Sequence, residues 1–101
     1  MRRAANTDNN HAETVKYLRS LSMSVQPLAS VGSGVPDLLV GFRGVNVLIE
    51  MKDGEKVPSK RVLTADQEQW HAKWAGQVHV ANDKEAAARV VIEVVGKAGR
   101  L

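Results

Sequence analysis

The chain has 101 residues, with 14 lysines and arginines against 11 aspartates and glutamates, and therefore a formal net charge of +3. Its 44% apolar and 25% charged residues predict one small globular domain over residues 1–101. The absence of cysteine excludes disulfides, thiolate catalysis and cysteine-based zinc sites, which leaves carboxylates, histidines and carbonyls as metal ligands. No long apolar run or secretory leader is readable, so we expect no membrane span and an intracellular, cytoplasmic protein.

The first predicted element is an amphipathic helix. Thr7 or Asp8 is a suitable N-cap, and apolar residues then recur at helical spacing as far as Leu21. Residues 1–6 have no apolar face and are predicted to form a flexible basic arm.

Three strands are predicted next. Residues 24–30 form the first, and two glycines after it indicate a turn. Residues 37–42 and 45–51 are apolar, β-branched runs separated by Arg43 and Gly44, a composition typical of a two-residue hairpin connection.

The second half of the chain returns to helices. Thr64 is the predicted N-cap of a helix that ends at Gly76, and residues 77–81 alternate like a short strand. Asp83 opens a last helix that stops near Gly96. The order helix, three strands, helix, strand, helix predicts an α/β domain with one mixed sheet flanked by helices.

The predicted hairpin brings charged residues together. Because side chains alternate along a strand, Glu50 and Lys52 share one face. Counting back from the tight turn places Asp37 opposite Glu50. Directly opposed side chains have Cβ atoms about 4.5–5.5 Å apart, so two carboxylates there repel each other unless a cation lies between them.

This arrangement favours hydrolytic chemistry. Two carboxylates, an ammonium group and the Met51 carbonyl can hold a hard divalent ion such as Mg²⁺ or Mn²⁺. Such an ion polarises a phosphate and acidifies a bound water, while Lys52 orients that water or stabilises the growing charge. The alternative is a surface ion pair of Asp37 with Lys52 beside a solvated Glu50. The apolar run immediately before Glu50 argues against it, because charges next to a core are costly unless paired.

The motifs resemble those of a known family. Residues 34–37 (Gly-Val-Pro-Asp) followed by residues 50–52 (Glu-Met-Lys) resemble the PD-(D/E)XK nuclease signature in its Glu-X-Lys form. Most of the chain resembles a VRR-NUC domain of the small standalone type carried by phages and bacteria. Glu13 corresponds to that family's early acidic residue, residues 34–39 to its strand motif, and residues 63–67 (Leu-Thr-Ala-Asp-Gln) to its helix-opening motif.

The resemblance implies a restriction-endonuclease-like fold that hydrolyses DNA with Mg²⁺ or Mn²⁺. It implies that Asp37, Glu50 and the Met51 carbonyl bind the metal. Glu13 would bind it directly or through water, although an ordinary exposed helix glutamate is the alternative. Lys52 would be catalytic.

Other polar and aromatic residues have two interpretations each. Gln67, in the first turn of its helix, is a candidate for holding Lys52 or a phosphate, or is a surface glutamine. Trp70 and Trp74 are one turn apart, which serves packing or base stacking, with packing preferred. The histidines lack HxH or HExxH spacing, so no zinc site is expected, and His11 is the one placed near the site.

Basic residues outside this centre are candidates for contacts with DNA phosphates. A solvated terminus and a solvated loop are the alternatives. The candidates are Arg2, Arg3, Lys56, Lys60 and Arg61.

Standalone members of this family are similar to Holliday junction resolvases, so the resemblance implies a structure-selective DNA endonuclease that acts as a homodimer on branched DNA such as four-way (Holliday) junctions. Residues 86–95 and the tryptophan-bearing helix are candidate dimer surfaces, because both carry apolar residues beyond one face. A restriction-like or exonucleolytic nuclease is one alternative. A non-catalytic basic DNA-binding module and a pure interaction module are the others.

Overall fold

A computed structural model describes residues 5–54, 56 and 62–101 of the chain. They form a small α/β domain with one four-stranded mixed sheet and three α-helices, the class of architecture that the sequence predicts. The helices are α1 (Ala5–Ser20), α2 (Ala65–Lys73) and α3 (Lys84–Lys97), and the strands are β1 (Ser24–Pro27), β2 (Leu38–Phe42), β3 (Val45–Met51) and β4 (Val78–Ala81).

The strands are arranged in the sheet in the order β1-β2-β3-β4. β2 runs antiparallel to β1 and β3, whereas β3 and β4 are parallel. A parallel pair cannot be joined by a tight turn, and the connection from β3 to β4 contains α2. Because β2 and β3 are antiparallel neighbours, the start of β2 lies beside the end of β3. The starts of α2 and α3 lie close to this place.

The β2–β3 hairpin has the predicted turn and register. Arg43 and Gly44 both adopt positive φ angles, 52° and 82°, as a type I′ turn requires. Phe42 pairs with Val45, and the ladder continues to the pair Leu38 and Ile49. One further step along the same register places Asp37 opposite Glu50.

One face of this hairpin forms the core. Its side chains Leu38, Val40, Val47 and Ile49 are fully buried. Helices α1 and α3 pack together and against the sheet, and α3 contributes its apolar residues at helical spacing. The buried side chains of α3 are Ala87, Ala88, Val91 and Val95.

Two predicted boundaries near the N-terminus are wrong. Helix α1 begins at Ala5, so neither Thr7 nor Asp8 is its N-cap, and the predicted arm over residues 1–6 overlaps the helix. Strand β1 ends at Pro27 instead of continuing to residue 30. The next residue, Leu28, donates its N–H to the Asp37 carbonyl at 2.6 Å, and a 3₁₀ turn follows at Ala29–Val31.

The predicted starts of the last two helices are confirmed. Thr64 caps α2 in a capping box with Gln67, and the Asp83 side chain accepts the Ala86 N–H at 2.7 Å at the start of α3. Helix α2 ends at Lys73, earlier than predicted. No helix in the described part of the chain is long and apolar enough to cross a membrane.

Candidate active site

A cavity of about 950 Å³ lies where β3 ends, beside α1 and the starts of α2 and α3. The structure brings all the predicted catalytic and metal-binding residues to its walls, together with Lys56. Those residues are Glu13, Asp37, Glu50, Met51, Lys52 and Gln67.

Asp37 stands immediately before β2 and is held by two donors. Its Oδ2 accepts the Met51 N–H at 2.8 Å and lies 3.3 Å from His11 Nε2. Burial alone would raise the pKa of Asp37, but hydrogen bonds with His11, Glu50 and Met51 together outweigh it and lower that pKa below 3.8. Asp37 is therefore the ionised member of the carboxyl pair.

Glu50 is the protonated member of the pair. Its side chain is 2% exposed, and burial together with the neighbouring Asp37 raises its pKa to about 9. Its Oε2 accepts from Gln67 Nε2 at 3.1 Å, while its buried Oε1 has no hydrogen-bond donor in the described part of the chain. Two carboxyl groups this close need a proton or a cation between them.

Lys52 is held next to this pair by Gln67. Lys52 Nζ donates to Gln67 Oε1 at 2.7 Å, and the same oxygen accepts the Thr64 N–H at 2.9 Å. The start of α2 can approach because residue 34 is glycine, at φ 83°, where a Cβ would lie 2.4 Å from the Asp66 carbonyl oxygen. One amide therefore connects the helix start, the lysine and the buried carboxyl.

The donor set suits a hard divalent ion. Asp37 and Glu50 supply carboxylate oxygens, and the Met51 carbonyl points to the same side of its strand as the N–H that reaches Asp37. The cavity walls carry six carboxyl groups against three lysines, although the whole chain has a net charge of +3. Bound cations would offset this local excess of negative charge. No group of three or more His, Asp or Glu side chains in residues 5–54, 56 and 62–101 forms a ready metal cluster.

Glu13 lies on the cavity wall with a different partner. Its Oε2 is 3.1 Å from Lys84 Nζ, and its side chain is 62% exposed. The Lys84 ammonium also lies 5.5 Å from the centre of the Tyr17 ring. Metal binding by Glu13, directly or through water, stays a prediction.

Two contacts of α1 and one residue of α3 were missed by the sequence analysis. It placed His11 near the site but did not predict the contact with Asp37. Asn10 Nδ2 donates to the Lys52 carbonyl at 3.4 Å, and Lys84 reaches Glu13 from the start of α3. Asn10 and Glu13 are three positions apart and therefore lie on one side of a helix, which was an available signal for these two residues.

The remaining candidates are only partly covered by the structure. Arg2, Arg3, Lys60 and Arg61 lie outside the described residues. Lys56 is exposed at the cavity. The rings of Trp70 and Trp74 stack with centroids 4.5 Å apart, and Trp74 remains 47% exposed. These two rings pack on each other and leave an aromatic surface.

The chain was compared with protein-family models, with curated proteins and with solved structures. No match was found in any of the three comparisons.

Proposed function

We propose that this chain is a Mg²⁺- or Mn²⁺-dependent deoxyribonuclease of the PD-(D/E)XK type, with a restriction-endonuclease-like fold similar to VRR-NUC domains. One observation carries the proposal. Asp37 and the buried Glu50 lie side by side at the end of the hairpin, with the Lys52 ammonium fixed next to them. A fold gains no stability from a buried carboxyl in contact with a half-buried one, so the cost of this pair favours a functional explanation.

The chain would hold the ion through Asp37, Glu50 and the Met51 carbonyl. When bound, Mg²⁺ or Mn²⁺ supplies charge that polarises the scissile phosphate and acidifies a water molecule. Glu50 must give up its proton to act as a ligand. Metal binding should therefore release a proton and become tighter as the pH rises.

Lys52 would act on the reacting phosphate. Its ammonium, held by Gln67 Oε1 at 2.7 Å, can stabilise the negative charge that develops on the phosphoryl oxygens or orient the attacking water. The water oxygen bonds to phosphorus as a bond from phosphorus to a sugar oxygen breaks. Gln67 is a positioning residue in this scheme, because it contacts Lys52 and Glu50 and fixes their spacing.

We propose branched DNA, in particular the four-way junction, as substrate and a homodimer as the active form. A single small domain offers little surface for reading sequence, and two copies would provide two centres for two strands. The apolar residues of α3 are mostly buried inside the domain, which leaves α2 as the better dimer surface. Trp74, the residue directly after α2, and Val80 on the edge strand β4 are exposed large apolar side chains, as is Ile92 on α3.

The first test is cleavage of labelled four-way junction, flap and linear duplex DNA with Mg²⁺, Mn²⁺ or EDTA. We expect metal-dependent junction cutting that Asp37→Asn abolishes. Asp66→Asn is the matched control, because this exposed acid lies outside the cavity. Cutting of linear duplex alone would support the nuclease activity and contradict the four-way junction as its substrate. Salt-sensitive DNA binding without cleavage by the wild type would indicate a non-catalytic module.

The dimer has its own test. Light scattering at micromolar concentration should give twice the chain mass for the wild type, and Trp74→Ala should weaken the association. A wild-type monomer would contradict the homodimer without affecting the cleavage chemistry.

A further inference from the structure

A second ammonium group lies on the wall of the cavity that holds Lys52. Lys84 is the first residue of α3, and its side chain is 30% exposed. Its Nζ lies 3.1 Å from Glu13 Oε2 and 5.5 Å from the centre of the Tyr17 ring. The ammonium is therefore fixed on two sides at the edge of the cavity.

The ion pair with Glu13 is one that a stronger anion can replace. Glu13 is mostly exposed, and exposed ion pairs contribute little net stability. The Tyr17 ring holds the ammonium by a contact that does not depend on Glu13. A phosphate that entered this part of the cavity would find a positioned cation.

Lys52 and Lys84 lie in one cavity but belong to different elements. Lys52 follows β3 and is fixed by Gln67 from α2, whereas Lys84 is fixed by two residues of α1. Because both lysines line the same cavity, a DNA strand that enters it meets both cations. Asp83 and Glu85 flank Lys84, so the local charge is acidic apart from this ammonium.

We infer that Lys84 forms a subsite for a phosphate of the DNA strand next to the one that is cut, and that Glu13 holds Lys84 in place until the strand enters. This inference rests on the proposed nuclease function. Glu13 then acts as the counter-charge of a substrate-binding lysine. Loss of the Lys84 charge should consequently weaken DNA binding, whereas loss of the Glu13 charge should strengthen it.

The test is fluorescence anisotropy of a labelled four-way junction, with Ca²⁺ in place of Mg²⁺ to slow turnover, over a series of salt concentrations. Lys84→Met should weaken binding about tenfold and lower the slope of log affinity against log salt by about one. Lys84→Arg should restore the slope. Glu13→Gln should tighten binding about threefold, because it frees Lys84 and removes a negative charge. Lys97→Met, on the same helix but outside the cavity, is the matched control.

A metal titration of the DNA-free protein completes the test. Glu13→Gln should bind Mn²⁺ as the wild type does in calorimetry, whereas Asp37→Asn should not bind it. A large loss of Mn²⁺ affinity in Glu13→Gln would identify Glu13 as a metal ligand and overturn the inference.

The outcomes separate the inference from the function on which it rests. Wild-type affinity and salt slope in Lys84→Met, together with Asp37-dependent cleavage by the wild type, would overturn the subsite alone. A wild type that binds neither Mn²⁺ nor DNA would overturn both.

Discussion

The two ends of the β2–β3 hairpin differ in how their residues affect the stability of the fold. At the closed end, Arg43 and Gly44 form a tight turn whose positive φ angles, 52° and 82°, match the twist of the strands. At the open end, Asp37 and Glu50 occupy the next pair of the same register. They place two carboxyl groups together, and burial of Glu50, with the neighbouring Asp37, raises the pKa of Glu50 to about 9. The closed end thus serves the fold, whereas the open end lowers stability, a cost that the proposed divalent ion would offset.

The comparison predicts which variants damage activity and which damage stability. At the open end we expect loss of activity with stability unchanged or improved. At the closed end we expect loss of stability with activity unchanged.

The largest effect is expected for Lys52→Met. Loss of the ammonium should reduce single-turnover cleavage about 10³-fold, since removal of one stabilising donor typically costs 10²–10³ in rate. Junction binding in anisotropy should change little. Unchanged cleavage by this variant would remove Lys52 from the chemistry.

The second effect is a gain in stability in Glu50→Gln. Unfolded Glu50 loses its proton near its ordinary pKa of 4.5, whereas the folded residue holds it up to about 9. The folded state therefore binds more protons between these pH values, and the free energy of unfolding falls as the pH rises through this window. In EDTA at pH 7, Glu50→Gln should raise that free energy by up to about 3 kcal/mol. With Mg²⁺ present, the same substitution should abolish cleavage.

Urea unfolding at pH 5, 7 and 9 measures this effect. The difference between Glu50→Gln and wild type should be smallest at pH 5 and largest at pH 9. Glu68→Gln, an exposed α2 variant, is the control. A gap that does not widen with pH would contradict a protonated Glu50.

The third effect concerns Gln67. Gln67→Ala removes the contacts to Lys52 and Glu50 and should lower cleavage about 10–100-fold, as loss of a supporting hydrogen bond does in metal sites. Thr64→Ala is the matched control, because it removes the side-chain cap but leaves the Gln67 amide in place. The control should lose about 1 kcal/mol of stability with near-normal cleavage. Equal activities of the two variants would indicate that Gln67 acts through the helix cap alone.

The smallest effect lies at the closed end. Gly44→Ala should destabilise the fold by about 1–2 kcal/mol, because alanine at φ 82° is strained and its Cβ would lie 3.0 Å from Arg100 Nη2. Gly99→Ala has a similar φ of 71° with no atom within 4 Å, so it isolates the strain. Both variants should cleave DNA like the wild type once folded. Loss of cleavage in folded Gly44→Ala would show that the two ends are coupled.

Local rules account for the parts of the structure that the sequence could predict. The turn dipeptide sets the hairpin register, and that register alone brings Asp37 to Glu50. The caps at Thr64 and Asp83 are equally local.

The parts that could not be predicted depend on how helices are placed on the sheet. Nothing in the local sequence fixes the rotation of α1, so the contacts of His11 with Asp37 and of Glu13 with Lys84 were not foreseen. Contacts between residues 71 positions apart are set by packing and not by propensity. Strand β1 ends early because Leu28, although it still bonds to Asp37 in the β1–β2 register, has a ψ of 5° and opens the 3₁₀ turn at Ala29–Val31.

The double role of Gln67 has a consequence for folding. Its amide closes the capping box of α2 and also contacts Lys52 and Glu50. The first turn of α2 and the candidate site should therefore order and disorder as one cooperative unit. A ligand in the cavity should slow hydrogen exchange at the Gln67 and Glu68 amides, which donate to the side chain and the carbonyl of Thr64.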